Sequence, residues 1–177
     1  MKFLSNTRLL LLGLWLGAAV FFSFAVAPSA FAVLPSREAA GAMVSRSLMI
    51  VNISGLVIGL ILLASSFAGT LAANRILLWA ERILLIILPA ACAIGLFIGT
   101  FWLPSVKAQM GRPIDEVAVE DPLRIQFNNL HEYSVWVLVL GMAAALIAFF
   151  MIAGKTSATP APKTGSTDFD FDKEFKI

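Results

Sequence analysis

The stretch DPLRIQFNNLHEYS, Asp121 to Ser134, holds the chain's only histidine and only tyrosine and runs straight into the apolar segment VWVLVLGMAAALIAFFMIA, residues 135–153. Aspartate before proline reads as a helix start. The carboxylate can accept from first-turn amides, and proline has no amide hydrogen to lose there. The pattern predicts one helix from Pro122 to about Gly154. At ~1.5 Å per residue it measures roughly 48 Å against a hydrocarbon core of ~30 Å, so its first turns belong outside the bilayer or at its surface. Phe127, His131, Ser134, Leu138, Gly141 and Ala145 follow one another by four and three, which keeps them on one stripe. On this reading His131 and Ser134 face the bundle interior and head a seam that ends in small residues.

Working outward, 59% of the 177 residues are hydrophobic and only 14% are charged. The apolar residues gather in blocks at 9–34, 48–68, 76–103 and 135–153, each long enough to cross a bilayer with some tilt. The expected architecture is all-α: an integral membrane four-helix bundle of up-down topology. Its spans lie at about 9–34, 37–68, 75–103 and 122–153, and together they make a single domain over 1–154. The loop 104–120 is too short for a domain of its own. A formal charge of +2, scattered along the chain, gives no footprint for nucleic acid. One cysteine, Cys92, excludes an internal disulfide.

Lys2 and Arg8 before a leucine-rich run, with Ala30-Phe31-Ala32 beyond it, outline a cleavable leader. The uninterrupted apolar run from Leu9 to Val26 is longer than a leader's usual core, and the first helix is therefore read as a retained span. Pro28 should kink it, Ser36 should cap the second helix, and Pro104 should end the third. Asn52 in the second span reads as interhelical hydrogen-bonding glue. In the third, Glu81, Leu84, Leu88, Gly95, Gly99 and Trp102 share a face and Pro89 falls off it. Glu81 and Arg82 read as an interfacial pair whose charged heads reach for water. Residues 155–177 form a disordered tail by composition. Its end, 168–177, alternates aspartate and phenylalanine in a way a protein partner could take up as an added strand, the alternative being a merely solubilising tail. Lys and Arg near the spans number six on the side of both termini against five on the other, which favours cytoplasmic termini.

Glycine recurs at a spacing of four in three helices, as Gly13 and Gly17, Gly55 and Gly59, Gly95 and Gly99, and the fourth has Gly141 and Ala145. In lipid, close backbone approach over small residues supplies packing that the hydrophobic effect does not. The four small faces are expected to converge on one another, homo-oligomerisation through one of them being the competing use.

Little chemistry is assembled. A single histidine cannot ligate a haem from both sides, and His131-Glu132 lacks the second histidine of a zinc-protease helix. No cofactor, metal site or catalytic residue is expected, and the chain does not read as an enzyme. The candidate polar cluster is Arg124, Asn128, His131 and Ser134 at the start of helix four with Arg37 and Glu38 at the turn between helices one and two, all on one membrane side. His131 serves there either as a structural hydrogen-bond former or, with an ordinary pKa of about 6.5, as a proton-responsive group.

Gly13 to Phe22 followed by Val26-Ala27-Pro28 and Phe31, Arg37 with Ala40-Gly41, and Phe127-Asn128-Asn129-Leu130-His131 with Ser134 resemble the bacterial membrane proteins of domain of unknown function 4149, which are similar to eukaryotic transmembrane protein 205. The likeness runs over about 9–153. It implies a four-helix protein of the bacterial inner (plasma) membrane with no established reaction, and an association of the eukaryotic relative with resistance to platinum drugs. The single cysteine departs from that relative and argues against a sulfur relay. Two functions follow as expectations. One is handling or export of a metal or small cationic compound; the other is a non-catalytic membrane scaffold or assembly factor. The lipid bilayer is the partner common to both.

Overall fold

The computed structural model describes residues 2–67 and 75–157. The elements are α1 (Lys2–Phe21), a π-helical turn (Phe22–Val26), α2 (Ala27–Val33), α3 (Arg37–Phe67), α4 (Arg75–Phe97), a second π-helical turn (Ile98–Trp102), α5 (Leu103–Met110) and α6 (Pro122–Ser157). Four continuous helices long and apolar enough to cross a membrane result: Phe3–Val33, Arg37–Phe67, Arg75–Met110 and Pro122–Lys155. Only 22% to 39% of their apolar windows is buried within the protein. The remainder, including Leu14, Ile50, Val57, Ile83, Ile94 and Phe150, points outward. A surface of that kind belongs in lipid.

The bundle is the expected up-down ring. α3 packs on α4, α4 on α6, and α1 closes the circle against α6 and α3. Where the chain enters helices, the anticipated caps are present. Ser36 Oγ accepts from the Ala39 amide at 3.1 Å and Asp121 Oδ1 accepts from the Leu123 amide at 2.8 Å.

Pro104 and Pro89 depart from expectation. Pro104 does not end the third span but begins α5, which runs on to Met110 and stops at Gly111 in the left-handed conformation, φ 65°. Pro28 and Pro104 each stand two residues past a π-helical turn. A proline ring collides with the carbonyl four residues earlier, here those of Phe24 and Thr100. Both lie inside the π turns, whose wider coil makes room. Pro89, expected off the buried face, is itself buried within α4 and seats its ring against Gly59. At the carboxyl end, α6 continues through Lys155 to Ser157. The expected disorder of the tail and the docking role of 168–177 lie outside the described residues.

Four of the small-face glycines lie against side chains of neighbouring helices. A Cβ on Gly55 would overlap the Trp15 indole and the Cys92 sulfur. One on Gly59 would lie 2.8 Å from Pro89 Cδ, one on Gly95 2.9 Å from Asn52 Nδ2, and one on Gly141 3.3 Å from Ala91 Cβ. Ala145 is buried in the same core, and Gly13 lies in ordinary contact with Phe149. Gly17 and Gly99 meet nothing within 4 Å, so the four small faces do not simply converge on one another.

A second, smaller core of Ile98, Val106 and Leu130, with Leu103, Met110, Leu123 and Phe127 against it, joins α5 to the first turns of α6. It forms a polar-surfaced cap at the end of the bundle opposite Arg8 and Lys155. At this cap α6 departs from the predicted stripe. His131 is exposed, whereas Leu130 and Ser134 are buried. Steps of four and three average 3.5 residues and drift by ~20° per heptad against a 3.6-residue helix. Two heptads above Ala145, His131 has moved roughly 40° off the seam, and in this region α6 turns Leu130 toward α5 instead.

Candidate functional site

The expected polar cluster at the cap is dispersed. Arg37 Nη1 lies 3.8 Å from Asp115 Oδ1, and Lys107 Nζ lies 2.7 Å from Glu38 Oε1, both pairs well exposed. Arg124 donates to the Val117 carbonyl. Ser134 Oγ donates to the carbonyl of His131, 2.7 Å away in its own helix, and the side chains of Asn128 and His131 are exposed. Among the described residues no hydrogen bond or ion pair joins Arg37 or Glu38 to the 124–134 stretch.

Polar chemistry is concentrated at the opposite end. Glu81, one turn and a half into α4, is only 4% exposed. Its Oε1 accepts from Arg8 Nη1 of α1 at 3.3 Å, and its Oε2 accepts from Lys155 Nζ of α6. Arg8 Nε donates in turn to Ser65 Oγ of α3 at 2.8 Å, and that hydroxyl donates to the Leu62 carbonyl at 2.7 Å. One connected network therefore takes a side chain from each of the four spans. The up-down topology makes this possible: it brings the start of helices one and three level with the end of helices two and four.

The level is the membrane boundary. From Ile83 to Leu103 the third span has no charged residue, a stretch of roughly 32 Å that matches a hydrocarbon core of ~30 Å. Charges at such a depth cost free energy unless paired, and Glu81 has two cationic partners for its two oxygens. One donor of Arg8, Nη2, is buried and has no hydrogen-bond acceptor among the described residues.

Arg82, expected beside Glu81 as an interfacial ion pair, is not its partner. Adjacent residues diverge by about 100° around a helix. Arg82 points to the outer flank, with its guanidinium carbon 4.4 Å from the Phe67 ring centroid and 5.8 Å from that of Trp79. Its Nη2 reaches the Ser66 carbonyl at 3.5 Å, and its Nε is buried without an acceptor.

Between the two ends the interior is closely filled. Trp15 Nε1 donates to the Val51 carbonyl at 2.9 Å, through the notch left by Gly55. Asn52 is buried against Gly95, and Cys92 is a buried thiol beside them. No three His, Cys, Asp or Glu side chains come together among the described residues.

Arg8, Ser65, Glu81 and Lys155 do not stand out as a unit in the sequence, Arg8 and Lys155 each lying more than 70 positions from Glu81. One signal was present. Glu81 shares its helical face with Leu88 and Gly95, which are buried, and an acid on the buried face of a span requires cations from its neighbours.

A family model, domain of unknown function (DUF4149), matches residues 10–112, more than half of the chain, and the chain belongs to that family. The matched segment includes Ser65 and Glu81 and ends before the Phe127 to Ser134 run. No curated protein and no solved structure matches.

Proposed function

We propose that this member of the family is a non-catalytic membrane scaffold or assembly factor of the bacterial inner membrane, with the Arg8–Glu81–Lys155 end and both termini on the cytoplasmic side. The observation that carries this reading is the closed network on Glu81. The carboxylate already bonds two cations that belong to the protein, and through Arg8 and Ser65 it ties all four spans into one unit. A bundle locked in this way supports a fixed platform. The cap of α5 and the first turns of α6 then offers exposed polar side chains to a partner. Gly99, with open space beside it, is a small position left for a second copy of the chain.

Handling of a metal or small cation is the second reading, and one observation favours it: Glu81 is the only buried carboxylate among the described residues. A cargo cation would have to displace Arg8 or Lys155 from it. The purified protein in sealed proteoliposomes distinguishes the two. Flux of divalent metal ions and of a cationic dye should match that of protein-free vesicles. Transport with no partner present, abolished by Glu81→Gln, overturns the scaffold reading.

A further inference from the structure

We propose that Arg82 and Arg75, with Trp79 between them, form a binding site for the phosphodiester headgroup of an anionic phospholipid at the membrane boundary. The inference is independent of whether the protein is a scaffold or a carrier. Arg75, Trp79, Arg82 and Ile86 are spaced by four, three and four, so they form one stripe on α4. Arg75, Trp79 and Ile86 are exposed, and Phe67 is exposed beside them at the end of α3. The stripe passes from cation and indole to bare aliphatic surface, in the order in which a lipid passes from headgroup to acyl chain. Arg82 is at the join, where the uncharged stretch of the third span begins.

Charge and hydrogen bonding point to the same ligand. Among the described side chains at this end, Arg8, Arg75, Arg82 and Lys155 stand against one acid, Glu81, and Arg8 and Lys155 occupy both of its oxygens. Among the described residues neither Arg75 nor Arg82 has a carboxylate partner. Arg82 holds its protein acceptor only at 3.5 Å and keeps Nε buried without one. A buried N–H lacking an acceptor is unfavourable, and a phosphate oxygen at the headgroup layer would supply one. There a phosphate can accept two parallel hydrogen bonds from the planar fork, an arrangement a lysine ammonium does not reproduce. Trp79 and Phe67 flank the guanidinium and limit its freedom before the lipid arrives.

The test is native mass spectrometry of the full chain released from micelles doped with equal phosphatidylglycerol and phosphatidylcholine. The parent should retain phosphatidylglycerol preferentially, and Arg82→Gln should lower that preference by about tenfold, as loss of a charge-assisted contact implies. Arg75→Gln should lower it less, and Arg112→Gln at the cap should leave it unchanged. Arg82→Lys, which keeps charge and stem, should fall between parent and Arg82→Gln, and it reads the site even if the glutamine variant does not extract folded. No preference in the parent, equal retention by Arg82→Lys and Arg75→Gln relative to the parent, or an equal loss in Arg112→Gln overturns the proposal. So does displacement of the lipid by millimolar inorganic phosphate, which would make this a site for a free anion.

Discussion

At the cap, Lys107 approaches Glu38 to 2.7 Å; at the other end Arg8 approaches Glu81 only to 3.3 Å. By distance the cap pair is the tighter one. Their surroundings reverse the ranking, because the Lys107 and Glu38 side chains are 44% and 56% exposed while those of Arg8 and Glu81 are 13% and 5% exposed. Water and salt screen the first pair, and holding two long side chains together costs entropy that cancels much of the Coulomb gain. The second pair has little water to fall back on, so removing one member leaves the other without compensation. The lesson is that in a membrane bundle the depth of a charge decides its worth more than the closeness of its partner.

The largest expected effect is that of Glu81→Gln. It leaves Arg8 and Lys155 without their counter-ion and should destabilise the bundle by about 3 kcal/mol, read as a lowered unfolding midpoint in mixed micelles. Coupling between Glu81→Gln and Arg8→Met in a double-mutant cycle should exceed that between Glu38→Gln and Lys107→Met. Equal couplings would break the contrast between the two ends.

Gly55→Ala comes next, at about 2 kcal/mol by the same measurement, because the added methyl must displace the Trp15 indole and the Cys92 sulfur. Gly17→Ala, in open space, should be silent. A matched loss at both positions would mean that glycine spacing, and not the seat of Trp15, is what matters.

Asp121→Ala removes the acceptor for the Leu123 amide and should cost about 1 kcal/mol, seen as faster amide exchange in the first turn of α6 with the membrane-embedded turns unaffected. The smallest effects belong to the exposed cap. Lys107→Gln should change stability by less than about 1 kcal/mol, and that small change should vanish at high salt. A salt-insensitive loss there would place the pair in a drier setting than its exposure implies.

How much could be read beforehand varies from residue to residue. Asp121 and Ser36 cap their helices as expected because capping depends on neighbours in the chain. Pro104 predicts a helix end by its lack of an amide hydrogen, whereas the π turn Ile98–Trp102 lets the helix continue past it. His131 misled for a geometric reason, a slow rotation of the seam along a long helix together with a second core at the cap. The face of Glu81 is legible in its helical spacing from Leu88 and Gly95 but its buried role is not, since nothing local reveals that Arg8 and Lys155 converge on it.

The sequence by itself determined four apolar spans, their alternation across the membrane and which charges share an end, because bilayer thickness and helical rise convert composition directly into length and level. Only the tertiary structure decided which of those charges turn inward and which glycines are filled. Both depend on the rotation of each helix about its axis, and that rotation is set by side chains distant in sequence, Trp15 in the notch of Gly55 and Arg8 and Lys155 on Glu81.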